Sequence, residues 1–197
     1  MEKKIGLILL AAGNSIRYEG IKLLDTIEGK QMYLHILDAV RTLSIEPKIM
    51  VTQYDEIAKK AKKDGFRVII NVHPEMGISR SIQLGLKEAL MLEPSLDAVM
   101  FSVCDQPHIK TQTMEAVIEA WKTEEKSIVC VTDGNQLGNP CVFAKKYFEK
   151  LNELVGDIGG KSIVKKNMED VFLLQVYNPE ELIDIDTRKN NKNIFYT

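Results

Sequence analysis

Continuous apolar runs alternate with helical patterns along most of this chain, and that alternation limits the possible folds more than any other feature. Residues 5–10 and 98–103 are almost unbrokenly apolar, the pattern of strands buried on both faces, as in parallel sheets. Residues 48–52, 67–70 and 128–131 read as further strands. Helical periodicity appears at 32–43 (Ile36, Leu37, Val40, Leu43), more weakly at 55–63, at 79–92 (Ile82, Leu86, Leu90) and at 111–121 (Met114, Val117, Ile118, Trp121). Parallel neighbours need crossover connections, so the expectation is an α/β fold: one Rossmann-like three-layer α/β/α domain with a mostly parallel sheet. The last third is less regular. A short strand is expected at 141–143, helices at 145–154 and 162–166, and a late strand at 171–176. The domain is expected to span residues 1–187. A polar tail, 188–197, would fray or pack loosely, its Phe195 and Tyr196 available to dock on the body or on a second subunit.

Composition agrees with one core. With 45% hydrophobic residues, 6 prolines and 12 glycines in 197 residues, disorder and fibrous repeats are excluded. Lys and Arg number 26 against 28 Asp and Glu, a net charge of −2 that offers no bulk field for nucleic acid or an anionic membrane. Any phosphate must therefore be held locally. Cys104, Cys130 and Cys141 form no CxxC and leave an odd thiol, which argues for reduced thiols over a disulfide framework or a zinc ribbon. The apolar stretch 5–12 is interrupted by Gly6, is too short to span a bilayer and precedes no clear processing site, so the cytoplasm is the expected location.

Ligands of open α/β sheets bind at the carboxyl ends of strands, which directs attention to the segments after Leu10, Ile70 and Val103. The first, Ala11-Ala12-Gly13-Asn14 onward to Arg17 and Lys22, joins small residues to two cations. Amides at Ala12, Gly13 and Asn14 can form an anion nest, Arg17 can make planar bidentate contacts, and Lys22 supplies a mobile point charge. The competing reading is a tight turn with two solvated cations. After residue 103, Asp105 followed by Gln106 and Pro107 suits a divalent ion, magnesium or manganese, since one carboxylate suffices when substrate phosphates and water complete the shell. A capping or turn role for Asp105 is the alternative. After residue 70, Asn71 can bond a base or ribose, and Ser79 or Ser81 can cap the following helix.

Two other nucleotide signatures fail. No G-x-G-x-x-G follows the first strand. The segment Gly156-Asp157-Ile158-Gly159-Gly160-Lys161-Ser162 nearly matches a P-loop but has Val155 where the first glycine belongs, and it follows a helix-like stretch rather than a strand. His35, His73 and His108 lack ligand spacing, and Cys104 reads as a small buried residue rather than a nucleophile.

These residues resemble the MobA-like nucleotidyltransferases, and among them the molybdenum cofactor cytidylyltransferases. The shared motifs are Leu10-Ala11-Ala12-Gly13-x-Ser15-x-Arg17 with Lys22, Asn71 with Gly77-x-Ser79-x-Ser81, and Asp105-Gln106-Pro107; then come Gly138-x-Pro140, Gly156-Asp157-x-Gly159 and Asp184-Ile185-Asp186-Thr187. The resemblance implies a GT-A-type nucleotidyltransferase domain that transfers CMP from CTP to the phosphate of molybdopterin and releases pyrophosphate. It implies a nucleotide site of Leu10, Ala11, Ala12, Gly13, Asn14, Arg17, Lys22, Asn71, Gly77, Ser79, Ser81 and Asp105, with Arg17, Lys22 and Asp105 catalytic. Gln106, Pro107, Gly138, Pro140, Gly156, Asp157, Gly159 and Lys161 would face the acceptor. Magnesium (or manganese) would sit on Asp105 and Asp186, with Asp157 as the other candidate for the second carboxylate. Ala-Ala-Gly in the first motif goes with CTP in this family, Ala-Gly-Gly with GTP. A molybdenum hydroxylase or its chaperone would receive the product. Departures are Glu19 and Ile21 where the family has Gly and Pro, Lys161 where Arg is common, and Arg188-Lys189-Asn190 in place of Pro-Glu-Asp. Transfer to another small phosphorylated acceptor, or a non-catalytic nucleotide-binding adaptor, are the rival functions.

Overall fold

The computed structural model describes residues 3–14, 18 and 20–185; the candidate residues Arg17 and Asp186 and the tail 188–197 lie outside them. In chain order the elements are β1 (Ile5–Ala11), a small hairpin of β2 (Thr26–Ile27) and β3 (Lys30–Gln31), α1 (Met32–Val40), β4 (Lys48–Thr52), α2 (Asp55–Lys63), β5 (Arg67–Ile70), α3 (Ile78–Leu92) and β6 (Ala98–Val103). There follow α4 (Thr111–Thr123), β7 (Ile128–Thr132), β8 (Leu137–Ala144), α5 (Phe148–Asn152), α6 (Lys161–Lys166) and β9 (Val171–Gln175). Seven strands form one sheet in the order β5-β4-β1-β6-β8-β7-β9, parallel throughout except for β8, which opposes both its neighbours.

The central strand shows why the run 5–10 lacks alternation. Leu7, Leu9 and Ala11 enter the core under α1, α2 and α4, while Ile8 and Leu10 enter the one under α3, α5 and α6. Both faces are covered, giving the expected three layers. Gly85 lets α3 lie close on the sheet: a Cβ there would stand 2.4 Å from Ile8 Cγ2 and 3.1 Å from Val51 Cγ2. No helix among the described residues is long and apolar enough to cross a membrane.

Several bounds differ from the sequence expectation for physical reasons. α1 stops at Val40, and Leu43 continues the apolar period only because its turn packs on the core. The expected helix over 145–154 opens as a 3₁₀ turn, Lys145–Tyr147, before α5. β8 runs eight residues, not three. Gly138 and Pro140 read as breakers, yet its pairing with β6 begins only at Cys141 and its ladder with β7 is irregular around Cys130 and Thr132, so the missing proline donor is tolerated.

After β1 the chain builds outward through β4 and β5, then returns to the other side of β1 as β6. The connections leaving β1 and β6 therefore diverge, and a crevice opens at the carboxyl ends of these strands.

Candidate functional site

That crevice is a cleft of about 820 Å³, floored by Leu10, Ala11, Ala12, Gly13 and Asn14 on the β1 side and by Val103, Cys104 and Asp105 on the β6 side. Among the described residues nothing lies within 4 Å of where a Gly13 Cβ would be, which leaves that backbone open to close approach. Lys22 opens a 3₁₀ turn, Lys22–Leu24, and its Nζ donates to Asp105 Oδ2 at 2.7 Å. Both side chains are largely shielded, 13% and 25% exposed, so solvent screens this pair less than a surface one. Asp105 precedes α4 by six residues and caps nothing.

The other Asp105 oxygen, Oδ1, is buried and has no hydrogen-bond partner among the described residues. A buried carboxylate oxygen without a donor is costly, and a hard cation is the ligand that relieves it. Asp105 thus fits the expected divalent ion. Asp157 and Asp184 line the same cleft, although no group of three or more acidic, His or Cys side chains among the described residues is drawn together tightly enough to hold a metal by itself. Asp184 is oriented from behind: Gln106 Nε2 donates to its Oδ1 at 2.8 Å, and the neighbouring Ile185 amide donates to Asp105 O at 3.1 Å.

The segment after β5 reaches the cleft through Pro74, Glu75 and Gly77. Asn71, expected at a base or ribose, is instead 1% exposed and engaged in the scaffold. Its Nδ2 donates to Ser81 Oγ (3.1 Å), its Oδ1 accepts from the His73 amide (3.0 Å), and its own amide donates to Thr52 O (2.8 Å). The serine caps are not found either. α3 begins at Ile78 with Gly77 as N-cap, so Ser79 and Ser81 lie inside its first turn. The Ser79 amide donates to Gly156 O and Ser79 does not line the cleft, whereas Ser81, equally buried, does. Gly77 has φ +81°, and a Cβ on it would stand 2.3 Å from the Gly156 carbonyl carbon; two loops distant in sequence touch here, backbone to backbone.

A second cavity of about 470 Å³ opens from the same junction, sharing Leu10, Ile78, Val103, Asp105, Asp157 and Asp184 with the first. Of the residues expected at the acceptor, Gly159, Lys161 and Asp157 line it. Gly138 and Pro140 do not: they are buried on the opposite face of β8, and a Gly138 Cβ would collide with Leu182, so Asn139, Cys141 and Phe143 provide the wall. Gln106 is 1% exposed, and Pro107 borders a separate surface groove beside α4, so neither touches the cavity. Gly156 serves as the contact point for α3 rather than as a lining residue. Phe101 and Phe143 meet edge to face at the base, centroids 6.2 Å apart. The segment 156–162 leaves α5, not a strand, which removes the P-loop reading.

The cysteines are all free and buried. Burial, with Asp105 alongside, pushes the Cys104 thiol far up and leaves it unreactive. Cys130 and Cys141 are directly opposed on β7 and β8, and Cys141 Sγ donates to Cys130 Sγ at 2.9 Å, a pairing the sequence spacing did not announce. That bond lowers the Cys130 thiol and raises that of Cys141.

Residues 7–171 match the MobA-like NTP transferase domain family over most of the chain. The chain belongs to this family. A curated relative, the probable molybdenum cofactor guanylyltransferase of Thermococcus sibiricus, is 28% identical over 125 residues, 63% of this chain; the match spans 59% of that relative's length. Among solved structures, Rv0371c of Mycobacterium tuberculosis H37Rv superposes with a TM-score of 0.80 at 22% identity over all of both chains. Another structure of it, in complex with manganese, gives 0.75 at 21% identity and 98% coverage of each. The 4-diphosphocytidyl-2C-methyl-D-erythritol synthase of Anaerococcus prevotii gives 0.74 at 18% identity, covering 97% of this chain and 94% of its own. At such identities these structures establish the fold of this MobA-like chain. The family match accords with the placement of Lys22 and Asp105 at adjoining strand ends.

Proposed function

We propose that this chain is a nucleotidyltransferase that moves CMP from CTP to the terminal phosphate of a molybdopterin-type acceptor, releasing pyrophosphate. One observation carries the reading: Lys22 and Asp105 meet where a small-residue loop suited to phosphates adjoins a second, partly aromatic cavity lined by Lys161. Two substrates can therefore be held with their phosphates facing each other. The acceptor oxygen attacks the α-phosphorus in line; the bond from that phosphorus to the bridging oxygen breaks, and its electrons leave with pyrophosphate. Lys22 neutralises charge on the triphosphate and then on the leaving group, and the motif resemblance gives Arg17 the same duty. No side-chain nucleophile is needed, because the attacking phosphate is already anionic. A divalent ion, magnesium or manganese, held by Asp105 and by Asp186, or in its stead Asp157, would supply further neutralisation of phosphate charge. Manganese in the Rv0371c complex is consistent with this.

For the base, Ala11-Ala12-Gly13 favours cytosine through the family resemblance, whereas the name of the Thermococcus sibiricus relative points to guanine. That name supports the acceptor class. The product would pass to a molybdenum hydroxylase or its chaperone, in the cytoplasm. The test is pyrophosphate release with each of the four NTPs, with magnesium or manganese, against molybdopterin, a sugar phosphate and an isoprenoid-precursor phosphate. Turnover with CTP and molybdopterin is expected; turnover only with GTP reassigns the base, turnover only with another phosphate reassigns the acceptor, and nucleotide binding without turnover on any acceptor favours an adaptor. Ala12→Gly is expected to relax discrimination against GTP.

A further inference from the structure

The parallel pairing of β1 with β4 ends at Ala11 opposite Thr52. Beyond that pair, three consecutive side chains continue the ladder. Thr52 Oγ1 donates to Ala11 O at 3.0 Å, Gln53 Nε2 to Ala12 O at 3.1 Å, and Tyr54 OH to Gly13 O at 2.7 Å. Gln53 Nε2 also lies 3.0 Å from Asn14 Oδ1. The trio is itself fixed: Thr52 is fully buried and its Oγ1 accepts from the Tyr54 amide at 3.1 Å, while Tyr54 is the N-cap of α2, its carbonyl accepting from Ala58 N at 3.0 Å.

In a planar trans peptide, the carbonyl of one residue and the amide of the next point in opposite directions. Turning the carbonyls of Ala11, Ala12 and Gly13 toward β4 therefore turns the amides of Ala12, Gly13 and Asn14 the other way. In the sheet that way leads to β6, at whose end Asp105 stands in the cleft. We propose that Thr52, Gln53 and Tyr54 are positioning residues that aim these three amides as a preset cradle for the phosphates of the bound nucleotide. The proposal rests on the nucleotidyltransferase reading. The clamp touches no substrate; it spares the loop from ordering itself each time a triphosphate binds.

The test compares wild type, Tyr54→Phe, Gln53→Leu and the double variant as full-length chains. Calorimetry with magnesium measures affinity for CTP and CMP, and for GTP and GMP, and thermal melts run alongside. Losing two neutral hydrogen bonds should weaken triphosphate binding by about tenfold in the double variant, with Tyr54→Phe contributing a few-fold alone. Monophosphate affinity should change by less than about twofold, because fewer phosphates read the cradle. A double variant that binds triphosphate as well as wild type does overturns the clamp and leaves the nucleotidyltransferase reading standing. Equal losses for tri- and monophosphate, in step with a falling melting temperature, overturn it as well, reducing the trio to ordinary structural support. Wild type that binds no nucleoside triphosphate overturns both. Should the double variant fold poorly, Tyr54→Phe, which removes one hydroxyl from a partly exposed ring, still gives a few-fold loss for the triphosphate with the monophosphate unchanged, and an equal loss for both overturns the clamp.

Discussion

Asp105 has two oxygens in different circumstances, one bonded to Lys22 and the other buried without a donor. Asp105→Asn keeps the shape but removes the charge, and pyrophosphate release is expected to fall by about 100-fold or more with little change in melting temperature. Unchanged turnover would remove Asp105 from the reaction. Lys22→Met is expected to weaken CTP binding more than CMP binding, measured by titration; equal losses would contradict a contact to the outer phosphates. Lys22, Asp105 and the stretch 10–14 were legible in the sequence because each lies just past an apolar run whose end fixes its place. Gly138 and Pro140 were not, because strand parity cannot be read across an irregular ladder: the motif lay on the right strand, and its neighbours Asn139 and Cys141 face the cavity. Gln106 and Asn71 were misjudged for another reason. A polar side chain in a loop looks the same in sequence whether it meets a ligand or holds the loop, and here both hold loops.

At the scale of elements, α3 is set by two glycines with different duties. Gly85 permits close packing on Ile8, so Gly85→Ala should overpack the core and cost about 1–3 kcal/mol. Gly77 combines φ +81° and ψ −177°, a region essentially closed to other residues, with backbone contact to Gly156, so Gly77→Ala should cost about 1–3 kcal/mol from strain alone. Both variants should melt lower, by about 2–4 °C per kcal/mol for a chain of this size. Activity separates them: Gly85→Ala keeps its kcat/KM below the melt, whereas Gly77→Ala loses it, because the loop it distorts borders the cleft. Strands 48–52, 67–70 and 98–103 were read to the residue: burial on both faces leaves an unambiguous run at 48–52 and 98–103, and at the sheet edge 67–70 is a short Val-Ile-Ile run bounded by polar residues. β8 was cut short by its glycine and proline, and β2 and β3, at two residues each, are below the length at which periodicity exists.

Across the whole molecule, the later strands are tied together by Asp170 just before β9. Burial alone would raise its pKa, but hydrogen bonds from Lys146, Tyr147 and the Ser127 amide outweigh it and hold the carboxyl at about 2, against an ordinary 3.8. A folded-state value below the unfolded one means that this carboxylate stabilises the fold above about pH 4. The contribution is lost as pH falls from there toward 2. The melting-temperature gap between wild type and Asp170→Asn should therefore be constant near neutrality and narrow below pH 4; a gap independent of pH down to 2 would show that the carboxylate's charge is not what matters.

The segment Pro179–Leu182 and the residues after it are sewn to the chain that follows β6, through Glu181 to the Lys110 amide and Thr113 hydroxyl and through Asp184 to Gln106. During synthesis, β1, β4, β5 and β6, which carry the side of the cleft formed by residues 11–14 and Asp105, leave the ribosome before the segment around Asp184. The two sides of the junction are thus made at different times, and the junction of the two cavities is complete only once residue 184 has joined the chain.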